Sequence, residues 1–370
     1  MNVNGSLRDV DSVAPLLDVA DLRVHFDTTR GRVRAVDGVS LLVHQGETLG
    51  VVGESGSGKT VLSRSMMGLI RAGGSNHQSG TIRYDGVELR ALAPNELRRY
   101  WGTQMAMVFQ DPMTSLNPTK RVGVQITESV RHHLGLSRAD AKARAVELLR
   151  SVGIAEASRR VRQYPHELSG GMRQRVTIAI ALSCSPRLLF ADEPTTALDV
   201  TVQAQILDLL KKQQTERQMA MVLVTHDLGV VRGRTDRIVV MYAGKVVESA
   251  PTRVLFAEPR MPYTEALMNA VPQMSGPIHV TLRAIPGRPP SLVNPEPGCR
   301  FSPRCPYAQD RCLTEEPPLH PDPADAGHTF ACWYPVGTPE GAAARERNRS
   351  RGVTAAGTIV TDATLAEVAG

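Results

Sequence analysis

Residues 47–60 read Glu47-Thr48-Leu49-Gly50-Val51-Val52-Gly53-Glu54-Ser55-Gly56-Ser57-Gly58-Lys59-Thr60. The run Glu47–Val52 has the apolar character of a short buried strand. Gly53 to Thr60 then fits the pattern G-x-x-x-x-G-K-[ST], and Val61, Leu62, Ser65, Met66 and Leu69 continue at helical spacing. Strand, glycine loop, helix is the context a phosphate-binding loop (P-loop) requires. Glycines let backbone N–H groups turn inward without a Cβ in the way, and a helix N-terminus adds positive potential. Gly53, Ser55, Gly56, Ser57 and Gly58 are thus candidate phosphate contacts. Lys59 is the point charge for the β- and γ-phosphates of a nucleotide, and the Thr60 hydroxyl is a candidate Mg²⁺ ligand.

Such a loop needs an acid at the end of another strand. Leu188 to Ala191 supplies the strand, and Asp192-Glu193 follows it. Asp192 is expected to hold Mg²⁺ through water. Glu193 is placed to polarise the attacking water as a general base. Met105–Phe109 and Met221–Thr225 read as further buried strands, ending at Gln110 and His226. Ile238–Ser249 reads as a hairpin turned at Ala243-Gly244. One helix starts at Ser137 and Asp140, continues through Ala141, Ala145, Leu148, Leu149 and Val152, and stops at Gly153. Another runs through Val202, Ile206, Leu209 and Leu210. Strands alternating with helices from about Leu16 to Ala250 predict an α/β domain.

Composition bounds the class. The chain has 370 residues, 42% hydrophobic and 22% charged, which excludes a wholly disordered chain, a collagen-like fibre and a coiled-coil rod. The 43 basic residues exceed the 37 acidic ones by only six, so the charge permits contact with phosphates or an anionic surface without demanding it. No run approaches the roughly 18–20 apolar residues that cross a bilayer. The N-terminus carries no secretory pattern, and the expected location is cytoplasmic.

Leu168-Ser169-Gly170-Gly171-Met172 precedes a helical stretch from Arg173 to Leu182. Ser169 is a good N-cap, and Gly170 and Gly171 expose backbone N–H groups, making a second anion-binding surface. One chain already has one γ-phosphate site, so a second suggests use across a dimer. The order P-loop, Gln110, Leu-Ser-Gly-Gly, Asp192-Glu193, Ala197-Leu198-Asp199, His226 strongly resembles the ABC-type ATPase over about residues 16–250. That resemblance implies a RecA-like core, an antiparallel β subdomain and a helical subdomain at about 111–175. It makes Gln110 the Q-loop glutamine, adjoining Mg²⁺, Leu168–Met172 the signature, Leu198-Asp199 the D-loop and His226 the switch histidine. Phe26 stands where the family often stacks an aromatic on adenine. The usual fifth signature residue is Gln; Met172 replaces it, away from the phosphate contact. The family also implies two ATP held between paired domains, each site joining one P-loop to the other subunit's signature.

After about Ala250 the chain changes. Residues 286–323 are rich in proline, including Pro289-Pro290 and Pro317-Pro318, and are expected to be loop-rich. Residues 1–15 and 336–370 read as solvated tails. Four cysteines, Cys299, Cys305, Cys312 and Cys332, lie within 251–335, separated by five, six and nineteen residues. Four thiolates in a proline-rich region suit a metal centre that organises loops. No pair has the tight spacing usual for zinc, so [4Fe–4S] is favoured over zinc, with free structural cysteines the remaining reading. Cys184 lies outside this motif and reads as a buried small residue.

Pro262–Leu267, Ile285-Pro286-Gly287, Gly298–Phe301 and Arg304-Cys305-Pro306 resemble the C-terminal extension of oligopeptide/dipeptide importer ATPases. In relatives that extension carries an iron–sulfur cluster. The resemblance implies a peripheral ATPase on the cytoplasmic face of the membrane. Its partners would be a second, similar ATPase as a heterodimer, two transmembrane permease subunits and an extracytoplasmic substrate-binding protein, with no nucleic acid. Soluble ABC ATPases acting on DNA or ribosomes are the alternative class, and nickel or another small solute the alternative cargo.

Overall fold

The computed structural model describes residues 14–111, 115–196, 198–270 and 285–360. Twelve strands form two sheets. They are β1 (Leu17–Thr28), β2 (Gly31–Val43), β3 (Thr48–Val52), β4 (Asn76–Tyr84), β5 (Val87–Glu88), β6 (Met105–Val108), β7 (Leu188–Asp192), β8 (Ala220–Thr225), β9 (Arg237–Tyr242), β10 (Lys245–Pro251), β11 (His320–Asp322) and β12 (Asp325–Phe330). The smaller sheet is antiparallel, in the order β2-β1-β4-β5. The larger has the order β11-β12-β10-β9-β3-β8-β7-β6. Within it β9, β3, β8, β7 and β6 run parallel, while β10, β12 and β11 are antiparallel additions at one edge.

The parallel strands read as unbroken apolar runs because both faces are covered. Side chains alternate between two cores. Leu189, Ala191, Met221, Leu223, Ile238 and Val240 face one. Leu188, Phe190, Val222, Val224, Val239 and Met241 face the other, against the small sheet and the helix Lys59–Met66. The first core also receives Val122, Ile126 and Val130 of the helix Val122–Leu134, and Ala141, Ala145 and Leu148 of the helix Arg138–Ser151. The second of these helices has the expected ends: Ser137 Oγ accepts from Asp140 N at 3.2 Å, and Gly153 takes φ +75°. The predicted hairpin turns at Ala243-Gly244, with Tyr242 opposite Lys245.

The proline-rich extension departs from expectation in two ways. Its end contributes β12 and β11 to the core sheet. Pro321 is tolerated because β11 is the edge strand, where a missing donor costs no ladder bond. The segment read as a solvated tail from 336 contains the helix Pro339–Arg351. Thr338 caps it and Pro339 stands at its first position. Asn348 is buried, its amide donating to Pro306 O at 2.8 Å and Ala308 O at 3.0 Å. Arginines at 345, 347, 349 and 351 hid this packed face in a polar composition. The reading of residues 1–13 and 361–370 as tail lies outside the described residues.

Candidate functional site

Parallel strands end on one side of a sheet, and that side is where open α/β sheets bind ligands. Here β3 ends at the glycine loop, β7 at Asp192-Glu193, β8 at His226 and β6 close to Gln110. In the loop, a Cβ on Gly53 would stand 2.1 Å from Met241 O, and one on Gly58 2.1 Å from Ala35 O. A Cβ on Gly56 would meet nothing within 4 Å. The loop is therefore wedged against β9 and β2 on its inner side and open on the other. Gly58, left-handed at φ +100°, leads into the helix at Lys59, where no side chain caps the first N–H groups.

Lys59 is almost fully buried, its Nζ donating to Gly53 O at 2.7 Å and Glu54 O at 3.0 Å. Burial lowers its pKa, and the Glu193, Asp192 and Glu54 carboxylates oppose that. Thr60 Oγ1 donates to Asp192 Oδ1 at 3.1 Å. Asp192 is wholly buried and its pKa is raised, chiefly by that burial. Its Oδ2 and the Ser57 hydroxyl have no hydrogen-bond partner among the described residues. The unpaired Asp192 oxygen, on a carboxylate already bonded to the Thr60 hydroxyl, gives a hard-oxygen donor set that fits Mg²⁺.

Glu193 sits at φ +45°, a left-handed conformation that costs a non-glycine residue about 1–3 kcal/mol. The turn aims its carboxylate at three neighbours. Glu193 Oε2 accepts from Gln110 Nε2 at 3.0 Å and from Thr196 Oγ1 at 3.1 Å, and His226 Nδ1 stands at 3.2 Å. Lys59 Nζ lies 3.9 Å from the other oxygen. The structure thus brings Gln110, Glu193, His226 and Lys59 together. Thr196 escaped the sequence reading, although its place three residues beyond Glu193 in a turn was visible.

Comparisons with known proteins identify the family. The family model described as "ABC transporter" matches residues 36–196, and that described as "Oligopeptide/dipeptide transporter, C-terminal region" matches 247–312. The dipeptide transport ATP-binding protein DppD of Escherichia coli K12 is 48% identical over 321 residues, 87% of this chain and 97% of that protein. The oligopeptide transport ATP-binding protein AppD of Bacillus subtilis is 47% identical with the same coverage. The chain belongs to the ABC transporter ATP-binding family. Among solved structures, the dimeric ATP-binding cassette MJ0796 in a post-hydrolysis state with ADP and Pi matches with a TM-score of 0.58 and 28% identity. That match covers 64% of this chain and 99% of the cassette.

In this ABC ATPase Leu168–Met172, expected to be the signature, opens a different helix from the glycine loop. Ser169 caps the helix Gly170–Ala181, accepting from Met172 N at 3.3 Å, and Ser169 and Gly170 are exposed. Gly171 is needed for packing: a Cβ there would come within 2.8 Å of Val202 Cγ1. Asp199 caps the helix Val200–Arg217, and neighbouring Val200 is 82% exposed. Ala197 lies outside the described residues. Phe26 is half-buried in β1, opposite Val33 and Asn76, and packs on the second core.

The four extension cysteines line one small cavity. Yet no group of three or more His, Cys, Asp or Glu side chains among the described residues is arranged to hold a metal ion. What the structure shows is a shared thiol-lined pocket, and the expected Cys₄ centre, whether [4Fe–4S] or zinc, is not supported by it. The four thiols come from separate elements. Cys299 and Cys305 flank the turn Ser302–Arg304, Cys312 is in the helix Asp310–Thr314, and Cys332 follows β12. No single turn fixes two neighbouring thiolates. Burial raises all four thiols, Cys299 to about 11.

Proposed function

We propose that this chain is the ATP-hydrolysing subunit that powers peptide uptake through an ABC importer. The observation that carries this reading is likeness to DppD across 97% of that protein, cassette and C-terminal region alike. The cassette spans about 16–250, with a helical subdomain at about 111–175, and the extension follows from 251. Lys59 and the N–H groups from Gly53 to Thr60 bind the phosphates. Bound Mg²⁺ would neutralise charge on the β- and γ-phosphoryl oxygens, with Thr60, Asp192 and Gln110 to hold it. Glu193 takes the proton of the attacking water as its oxygen bonds to the γ-phosphorus; the bridging oxygen leaves with ADP. Gln110 and His226 orient that carboxylate and sense the terminal phosphate. Phe26 stacks on the adenine.

Ser169, Gly170 and Gly171, with Asp199, serve a partner's site. The exposure of Ser169, Gly170 and Asp199, together with likeness to a cassette solved as a dimer, supports that division of labour. Among the described residues no helix is long and apolar enough to cross a membrane. Likeness to DppD and AppD supports the subunit working at the cytoplasmic face on two permeases. A second ATPase completes the pair, and an extracytoplasmic binding protein delivers peptide.

The test is reconstitution with permeases and binding protein in vesicles. Peptide should stimulate phosphate release and accumulate inside. Stimulation by a nickel chelate but by no peptide would move the cargo to another solute. Ser169→Arg should abolish turnover in the pair; full turnover by a lone subunit carrying that change would overturn the shared-site reading.

A further inference from the structure

The P-loop's second residue, Glu54, is held from outside the cassette. Its N–H donates to Tyr263 Oη at 2.8 Å, from the helix Pro262–Asn269. Both carboxylate oxygens receive Arg304, at 2.6 Å from Nη1 and 2.9 Å from Nη2. A guanidinium has five N–H donors, and the other three are also used. Nη1 reaches Tyr242 Oη at 3.3 Å, Nη2 reaches Ile285 O at 3.2 Å, and Nε reaches Pro286 O at 2.8 Å. Arg304 is 3% exposed and Glu54 26%, so the guanidinium is shielded from water while the carboxylate it grips stays partly open. Tyr242, Tyr263 and Phe301 pack as a ring cluster beside it, with centroids 4.5–5.3 Å apart.

A second arm runs in parallel. Arg300 pairs with buried Asp37 and donates to Ala243 O. The next residue, Gly244, donates its N–H to Ser57 O at 2.9 Å and accepts from Asp37 N at 2.8 Å. Arg300 and Arg304 both belong to the stretch between Cys299 and Cys305. Of these two arginines of one short segment, Arg304 thus holds the glycine loop directly at Glu54, and Arg300 supports the Ala243-Gly244 turn that bonds Ser57. Glu54 matters to the loop's shape, because its carbonyl receives Lys59 Nζ at 3.0 Å and Ser57 N at 3.1 Å.

We propose that Arg304 is a positioning residue for ATP binding: the C-terminal extension braces the P-loop through Glu54, so the cassette's nucleotide affinity depends on the extension. This rests on the ATPase reading above and deepens it. Tertiary contact supplies part of the preorganisation that a glycine loop lacks by itself.

The test measures Mg-ATP affinity of the full chain by calorimetry, KM and kcat in the reconstituted transporter, and the melting midpoint without nucleotide. Arg304→Gln and Glu54→Gln should each weaken ATP binding roughly tenfold, with the double variant no weaker than either single one, since contacting groups couple. The loss should appear in KM more than in kcat, and Arg304→Lys should recover part of it. Wild-type affinity in Glu54→Gln, or a melting shift with no change in affinity, overturns the proposal. So does an additive double variant. Should Arg304→Gln fail to fold, Glu54→Gln decides alone. A native chain that binds no Mg-ATP would sink the ATPase reading itself, a separate result from unchanged affinity in the variants.

Discussion

The glycine loop and the cysteine pocket are both small and rich in one residue type, yet they are specified differently. The loop's eight residues, Gly53 to Thr60, are contiguous, and local backbone freedom allows their shape, which contacts from β2, β9 and the extension then hold. The pocket draws its thiols from separate elements, and only the fold brings them to one cavity. A contiguous motif carries its own geometry; a dispersed one inherits geometry from whatever packs around it. Chemistry read from residue types is therefore dependable in the first region and incomplete in the second.

The sharpest blow to the nucleotide region is Glu193→Gln. It keeps size and acceptor atom but removes the base, so phosphate release should fall about 10²–10⁴-fold. ATP should stay bound, trapping a closed pair visible by size-exclusion chromatography. Unchanged turnover would remove Glu193 from its assigned role.

The next test separates shape from contact within the loop. Gly58→Ala places a Cβ 2.1 Å from Ala35 O at φ +100°, so loop and strand must separate. The expected cost is on the order of 3 kcal/mol, the upper end for stored backbone strain, read by urea unfolding. Gly56→Ala meets nothing within 4 Å. It should lose less stability but lose ATP affinity, because the methyl group occupies the open face. Equal unfolding costs for the two would mean the loop is not wedged as described.

Most of the cassette was legible in sequence for the same reason the loop was. Strands β3, β6, β7 and β8 are unbroken apolar runs, and the glycine loop, Gln110, Asp192-Glu193 and His226 lie at or just beyond their ends. What could not be read was long-range. Arg304 looks like any basic residue until Glu54, 250 positions away, is found against it. The helix Pro339–Arg351 was hidden because its buried face is only Gly341, Ala344 and Asn348, too small to give a hydrophobic stripe. Asn348→Ala tests that face. It strands the carbonyl of Pro306 and takes one of several partners from Ala308 O and the Gln309 amide. A loss of roughly 1–2 kcal/mol follows from leaving a buried carbonyl unpaired. Hydrogen exchange should quicken around Cys305–Cys312 and not in the P-loop helix.

The smallest effect concerns the thiols, and its sign follows from burial. Cys299 moves from an ordinary 9.0 to about 11, mainly by desolvation. A thiol raised in the folded state lends stability that is fully present below its unfolded value and is lost as pH climbs through the folded value. Unfolding free energy should hold steady to about pH 9 and decline towards pH 11, and a Cys299→Ser variant should flatten that decline. Labelling by iodoacetamide needs the thiolate, so at pH 8 the four cysteines should react slowly in the native chain and quickly once it is unfolded. An oxygen-free preparation whose thiols are unmasked by a chelator, with the fold intact, would instead show that metal draws them together. That outcome would restore a Cys₄ centre and make the pocket, like the loop, a site whose residue types announced its chemistry.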